Sequence, residues 1–185
     1  MVLIARSIFW NGEAGGGLVA LGDGLALGEG EDGFEVVEDS LFVTEAPVPV
    51  HLWITDLEGK AVRKTSGAWS LANTPPPSPP ASPLAWSPDG TSIAFAKQAS
   101  PHTGDQEKTT VQILDVASGL FRPLTGEARL EGFPSYSPDG KAIAYWWPRD
   151  GDLMSQNEIH VADAAGGKGR NVTRSLDRCL YRSVW

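Results

Sequence analysis

The chain is short of cysteine, of histidine and of positive charge. Among 185 residues there are one cysteine, three histidines, and 15 Lys and Arg against 23 Asp and Glu, for a net charge of −8. A single cysteine, Cys179, excludes an intrachain disulfide and any metal site built from cysteines. The acidic balance excludes a nucleic-acid partner, because gripping a phosphate backbone needs a basic face. Long apolar runs are also missing. "MVLIARSIFW" has no signal-peptide core, and "GLVALGDGLALG" is interrupted by glycines and an aspartate, so neither is read as a membrane span. The expectation is a soluble chain, cytoplasmic or periplasmic. Helical periodicity of useful length occurs nowhere.

What is abundant is turn chemistry. The chain has 21 Gly and 14 Pro, which favours many short strands over long helices, and seven Trp, which suit broad pleated surfaces. Hydrophobic residues make up 41% and charged residues 21%, a globular balance and not that of a disordered chain. The charge is uneven. Residues 1–40 carry Glu13, Asp23, Glu29, Glu31, Asp32, Glu35, Glu38 and Asp39 against Arg6 alone, a net of −7, which leaves −1 for the rest.

The dominant feature is repetition. "SPDGTSIAFA" from Ser87 aligns with "SPDGKAIAYW" from Ser137. Each copy is followed by a second shared element, "TVQILDVASGLFRPLTG" from Thr110 and "EIHVADAAGGKGRNVTR" from Glu158, with an earlier relative "HLWITDLEGKAVRKTSG" from His51. All three read as an apolar strand, an Asp, a Gly-containing turn and a basic strand ending in Thr. The aspartates Asp56, Asp115 and Asp163 are spaced by 59 and 48 residues. One unit therefore predicts strands at Pro83–Trp86, Ser92–Lys97, Val111–Val116 and Phe121–Thr125. In "TSIAFA", Ile93 and Phe95 alternate with Ser92 and Ala94, the period of a strand. Four short antiparallel strands at this repeat length are the unit of a β-propeller blade.

The SPDG segment has a turn mechanism. Pro88 presets φ for the first turn position, Asp89 suits the second and bonds back to the backbone, and Gly90 takes the left-handed conformation that closes the hairpin. Pro138, Asp139 and Gly140 repeat it. These six are read as structural turn formers. "ANTPPPSPPASP", Ala72 to Pro83, is read as a Pro-rich surface connector between repeats, leading into an inner strand, with a ligand for a proline-binding module as the lesser alternative. "KQASPHTGDQEKTT", Lys97 to Thr110, is read as a polar loop within one blade.

The organisation expected is all-β: a partial β-propeller of about three to three and a half four-stranded antiparallel blades. Residues 1–50 form an acidic N-terminal region with degenerate blade strands, "SLFVTEAPVPVHLWI" matching a second and third strand. A blade region spans 51–126 with its Pro-rich insertion at 72–83, a further blade spans 127–174, and 175–185 begin a truncated next blade, with Trp185 in the position of Trp86. An open arc exposes unpaired edges that template association. A homo-oligomer through those edges is therefore an expected partner, and a scattering mass equal to one chain would overturn it.

The repeated "WSPDG.SIAF…V.I.DV.SG….LT" resembles the propeller repeats of the TolB-like class and of the prolyl oligopeptidase family, which includes dipeptidyl peptidases and acylaminoacyl peptidases. "VHLWITDLEGKAVRKTSGAWS" followed by the Pro-rich run and "LAWSPDGTSIAF" is similar to consecutive blades of those peptidases. "QASPHTGDQEKTTVQILDVASG" is similar to their long intra-blade insertion, and "GGKGRNVTRSLDRCLYRSVW" to the stretch entering the following blade. The resemblance spans about Leu52 to Trp185 and leaves residues 1–45 unmatched. It implies a propeller that caps a serine-peptidase active site and filters peptide substrates, with a Ser-His-Asp triad on a separate α/β-hydrolase domain. The nucleophile elbow G-x-S-x-G of that domain is absent from this sequence, as is the paired-glutamate motif by which dipeptidyl peptidases hold a substrate amino terminus. No catalytic residue carries over. The expectation is a non-catalytic segment of such a peptidase. The alternative is a TolB-like module binding a protein partner, which pull-down from native extract would distinguish.

Other candidates read as structural. His51, His102 and His160 share no ligand spacing, and a Ser, a His and an Asp in one chain are no triad without geometry. "GEGEDG", Gly28 to Gly33, matches G-x-G-x-x-G in form, but strand-like residues follow it and its three acids repel phosphate. Asp23, Glu29, Glu31 and Asp32 could suit calcium, yet the regular calcium-loop pattern is missing and a solvated acidic loop is the reading. "NVT", Asn171 to Thr173, is a glycosylation sequon by pattern, with its Thr already explained by the repeat. Cys179 reads as a partly buried thiol. Trp146 and Trp147 point to opposite faces of a strand, one between blades and one on a surface that could serve a ligand. No cofactor or metal is expected.

Overall fold

The structure, a computed structural model, describes residues 4–5, 35–37, 40–43, 49–72, 84–105, 107–127, 129–180 and 183–185. The acidic candidates Asp23, Glu29, Glu31 and Asp32 and the proline run itself lie outside these residues. Among the described residues there is no α-helix, only strands and three short 3-10 turns.

The strands, in chain order, begin with β1 (Ile4–Ala5), β2 (Glu35–Val37), β3 (Ser40–Val43), β4 (Trp53–Thr55) and β5 (Ala61–Arg63). Next come β6 (Ser70–Leu71), β7 (Leu84–Trp86), β8 (Ser92–Gln98), β9 (Thr109–Asp115) and β10 (Phe121–Pro123). The last four are β11 (Gly132–Tyr136), β12 (Ala142–Pro148), β13 (Asn157–Asp163) and β14 (Arg170–Asn171). They make three successive antiparallel blades: β1-β4-β5; then β10-β9-β8 with both β6 and β7 on the free edge of β8; then β11-β12-β13-β14. Strands β2 and β3 form a separate two-stranded hairpin.

Equivalent registers tie the blades together. Ile93 faces Leu114 and Ala94 faces Ile113 in the second blade, while Ile143 faces Ala162 and Ala144 faces Val161 in the third. In the first blade Ile4 faces Thr55 and Ala5 faces Ile54. The second-strand position of the first blade is thus held by "IA" near the start of the chain. It is not held by "SLFV", which the repeat reading placed there; Ser40–Val43 pairs with Glu35–Val37 instead. A two-residue match is too short to register in a sequence repeat.

Residues 73–83 of the Pro-rich insertion lie outside the described residues, but both of its flanks are described. Leu71 faces Lys97 and Leu84 faces Phe95, so its two flanks pair with the same strand, β8. In the third blade the corresponding partners are continuous: Gly132 faces Trp146 and Ser135 faces Ala144 across a bulge. The two flanking strands together thus hold the place that one bulged strand, β11, holds in the third blade. A bulge leaves residues unpaired, so chain can be added there without breaking ladder bonds.

Side chains alternate across each sheet and build two inter-blade cores. Leu52, Ile54, Leu71, Leu84, Ile93, Phe95 and Leu114 join the first blade to the second. Ala94, Val111, Ile113, Leu124, Ile143, Tyr145 and Ala162 join the second to the third. Trp147 packs against this second core, whereas Trp146, on the other face, stacks on Phe133 with ring centroids 5.4 Å apart. The Trp146 indole nitrogen is buried, so this ring is packed and not an open platform.

The recurrent Asp and Thr now have reasons. The Oδ1 atoms of Asp56, Asp115 and Asp163 accept turn amides from Lys60, Ser118 and Ala165 at 2.8, 2.7 and 2.7 Å. The closing Thr hydroxyl reaches back to an amide at or near the start of the third strand: Leu52 N–H donates to Thr65 Oγ1 and Ile159 N–H to Thr173 Oγ1, each at 2.8 Å. Thr65 is buried. A Thr65→Val substitution keeps the shape but leaves the Leu52 amide unpaired, so it is expected to cost about 1–2 kcal/mol. Urea unfolding of the variant beside the parent checks this, and an unchanged midpoint would contradict the cap.

Candidate functional site: the seam between the SPDG turns

Pro88 and Pro138 open the two hairpin turns, and Gly90 and Gly140 close them with φ of 73° and 71°, a conformation glycine adopts at no steric cost. Their N–H groups donate to Ser87 and Ser137 carbonyls at 2.9 Å. Asp89 Oδ1 accepts the Ser87 hydroxyl at 2.6 Å, the Thr91 amide at 3.0 Å and the Thr91 hydroxyl at 2.9 Å. Asp139 repeats this with the Ser137 hydroxyl at 2.6 Å and the Lys141 amide at 3.1 Å. The serine hydroxyl donations, seconded by the backbone amides, hold both carboxyls below the ordinary range. The serines are occupied as well. Ser87 Oγ accepts the Ser92 amide and Ser137 Oγ the Ala142 amide, both at 2.9 Å. A hydroxyl that already donates to a carboxylate and accepts an amide, with no base beside it, is not an activated nucleophile.

The two turns approach each other. A Cβ on Gly140 would lie 3.4 Å from Pro88 Cδ. Together with Ser92, Ile113, Arg122 and Tyr136 they line a cleft of about 220 Å³. Pockets for drug-sized ligands start at about 300 Å³, and this cleft, smaller than that, is a seam between the turns. Arg122 stitches it, donating from Nη2 to the Ala164 carbonyl of the third blade at 2.7 Å. Lys64 does the same one blade earlier, donating from Nζ to the Val116 carbonyl at 2.9 Å. Val116 and Ala164 each follow the repeat Asp, so a basic side chain in or just after the fourth strand reaches the same carbonyl position of the next blade in both ties. Burial raises the Tyr136 phenol in this seam, against the opposing pull of Arg122.

The opposite end of the blades carries the other polar cluster. Glu158, 1% exposed, accepts Arg149 Nε at 2.7 Å and the Asn171 amide nitrogen. The same Asn171 nitrogen lies 3.1 Å from His160 Nε2, and Asn171 Oδ1 accepts the Thr173 and Arg174 amides at 3.0 and 2.8 Å. The sequon asparagine is thus engaged at both ends of its amide. Arg149 also meets Asp177 at 3.1 Å, and Arg174 meets Asp150 at 2.8 Å, tying the loop after β12 to the chain after β14. His51 bonds the Gly67 carbonyl at 3.1 Å. His102 lies in the loop after β8, where its carbonyl accepts Gln98 Nε2 at 2.7 Å. The structure therefore brings none of the three histidines to the SPDG seam. Cys179 is exposed, not partly buried, because the segment around it runs over the surface. Among the described residues no group of three or more His, Cys, Asp or Glu is placed to hold a metal ion, and no helix is long and apolar enough to cross a membrane.

Sequence reasoning missed Arg122, Lys64, Arg149 and Glu158, and also Glu131, buried at the entry to β11. The first two carried a signal, since a basic residue recurs in each fourth strand. Glu131 carried one too: it stands where the other repeats have leucine.

Antiparallel sheets of three, five and four strands, packed face to face through alternating cores, make this chain a segment of a β-propeller. Its relatives by sequence are peptidases. Over 106 residues, 55% of the chain, it is 33% identical to dipeptidyl-peptidase 5 of Porphyromonas gingivalis. Over 88 residues, 48% of the chain, it is 27% identical to the peptidase YuxL of Bacillus subtilis. The matched stretches span 16% and 13% of those relatives' lengths. Solved structures with a similar fold include TolB of Acinetobacter baumannii, at 23% identity and a TM-score of 0.47, covering 68% of this chain and 27% of that one. A TolB from Agrobacterium tumefaciens has 21% identity and a TM-score of 0.48, covering 66% and 40%. No protein-family model matches the chain. The peptidase resemblance of the SPDG repeats is in keeping with the two sequence relatives.

Proposed function

We propose that this chain is a non-catalytic β-propeller segment of a prolyl oligopeptidase-family serine peptidase, where it caps the active site and gates the entry of peptide substrates. The observation that carries this reading is the 33% identity to a dipeptidyl peptidase over 106 residues, in a chain whose described strands form propeller blades. The residues support a scaffold more than a reaction centre. The SPDG serines and aspartates are consumed in turns, and the 220 Å³ seam between them lies below the usual range of ligand pockets. Gating in this reading belongs to the inner strands β7 and β11, which face the channel of a closed ring.

The purified chain is expected to leave aminoacyl nitroanilides intact at any concentration tested. Turnover that a serine-directed phosphonate abolishes would overturn the reading. The coding DNA provides a second check: a nucleophile elbow encoded beyond these residues in the same or the adjoining reading frame supports a peptidase.

A further inference from the structure

We infer that Glu131 is a proton-controlled lock between the second and third blades: in its neutral form it ties β9 to the segment entering β11, and ionisation loosens that tie.

Register identifies the anomaly. The amides of Leu71, Glu131 and Leu180 donate to the carbonyls of Val50, Thr109 and Asn157, each at 2.9 Å. The three residues therefore hold one structural position, where two blades place a leucine and one places a carboxyl. The Thr cap has changed with it. In the first and third blades the Thr hydroxyl accepts the third-strand amide directly. In the second, Glu131 is interposed: Oε2 accepts the Val111 amide at 2.8 Å, and Oε1 bonds the Thr125 hydroxyl.

Two carboxyls are equally buried here, Glu131 and Glu158, each 1% exposed. Glu158 has the Arg149 guanidinium at 2.7 Å. Glu131 has neutral partners, and no cation pairs with it among the described residues. Both of its protonation states can be bonded. When neutral, Oε1–H donates to Thr125 Oγ1, which also accepts the Glu127 amide at 3.0 Å. When ionised, Thr125 donates. What separates the two states is the cost of burying an unpaired charge.

The surroundings point the same way. On its own segment Glu127 is acidic, and from β12 the Tyr145 phenol is raised by burial and by Glu131 and Glu127. The flanking Arg129 is turned to Glu107 at 3.6 Å. On β13, His160 lies beyond Tyr145, with ring centroids 5.8 Å apart. Burial pushes the Glu131 carboxyl up to about 7, against the pull of its bonds to Thr125 and Val111. A carboxyl raised in the folded state contributes stability that is fully present below its unfolded value of 4.5 and is lost as pH rises through about 7. His160, lowered mainly by burial, acts in the opposite sense, losing its contribution as pH falls below 6.5. A variant at 131 isolates the first effect from the second. The inference rests on the blade geometry and is independent of the peptidase reading.

The test is urea unfolding of the parent chain and Glu131→Gln from pH 4.5 to pH 8. Over that range the native-to-unfolded ratio of the parent is expected to fall on the order of a hundredfold more than that of Glu131→Gln. Parallel profiles would overturn the lock. Glu131→Leu, which restores the residue of the other two blades, serves if the amide variant fails to fold, and the same flattening is expected. The Glu131 carboxyl carbon, followed by NMR in the parent, reads the group directly. A midpoint near 7 supports the lock, and one near 4.5 sinks it.

Discussion

Replacing Phe95 with alanine is expected to destabilise the chain by about 3–5 kcal/mol, the cost of emptying an aromatic site in a packed core. Phe95 is 0% exposed and sits midway along β8, where it faces the first blade beside Ile93 and Leu114. Its ring stacks on Trp69 at 5.7 Å and meets the edge of Phe121 at 5.7 Å. Lys97 Nζ lies 5.6 Å from the Trp69 ring centre, so the rim of this core is closed by a cation over an aromatic face. Its neighbours Ile93, Leu84 and Leu114 are themselves buried and fixed in strands or the core, so the site cannot collapse cheaply. Folded domains hold only about 5–15 kcal/mol in all, and the variant should stand near its unfolding limit at room temperature. Phe95→Leu, which keeps most of the volume, is expected to cost under about 1.5 kcal/mol. Denaturant titration of the pair checks this. An alanine cost below about 1 kcal/mol would show that the first blade is not held to the second through this ring.

Gly169→Ala is the second large effect, expected at about 3 kcal/mol, the upper end for overpacking. Gly169 lies just before β14, and a Cβ there would sit 1.8 Å from the Tyr145 hydroxyl oxygen and 2.8 Å from Cζ. Tyr145 cannot swing aside freely. It is 2% exposed, packed in the second inter-blade core and held beside the His160 ring. The prediction is sharpened by a double-mutant cycle. Tyr145→Phe removes the nearest atom, so Gly169→Ala should cost less in that background than in the parent, with a coupling of about 1 kcal/mol. Additive costs would mean that the phenol and the glycine backbone do not touch.

The repeat made much of this architecture legible. The SPDG turns, the strand that follows each and the Asp turn behind it are local: each depends on dihedral preferences and alternation within a few residues. The strand read at Ser92–Lys97 is found at Ser92–Gln98, and that read at Val111–Val116 at Thr109–Asp115. The fourth strand ends at Pro123 and not at Thr125, because Leu124 and Thr125 turn away to serve the core and the cap. The pairing of "IA" at residues 4–5, and of both Ser70–Leu71 and Leu84–Trp86 with one strand, was not legible. Both are long-range pairings, and alternation does not say which partner a short strand takes.

The seam and the lock divide along the same line. That Asp89 and Asp139 shape turns follows from their neighbours in the chain. That Arg122 spans two blades, that Glu158 has a guanidinium and that Glu131 has none among the described residues depends on residues brought together across sheets. Composition and repeats by themselves determined an all-β, acidic, propeller-type chain with its turns in the right places. Tertiary structure alone decided which polar side chains are buried and which are paired, because burial and charge pairing are properties of the packed interface between blades and not of the strand that carries the residue.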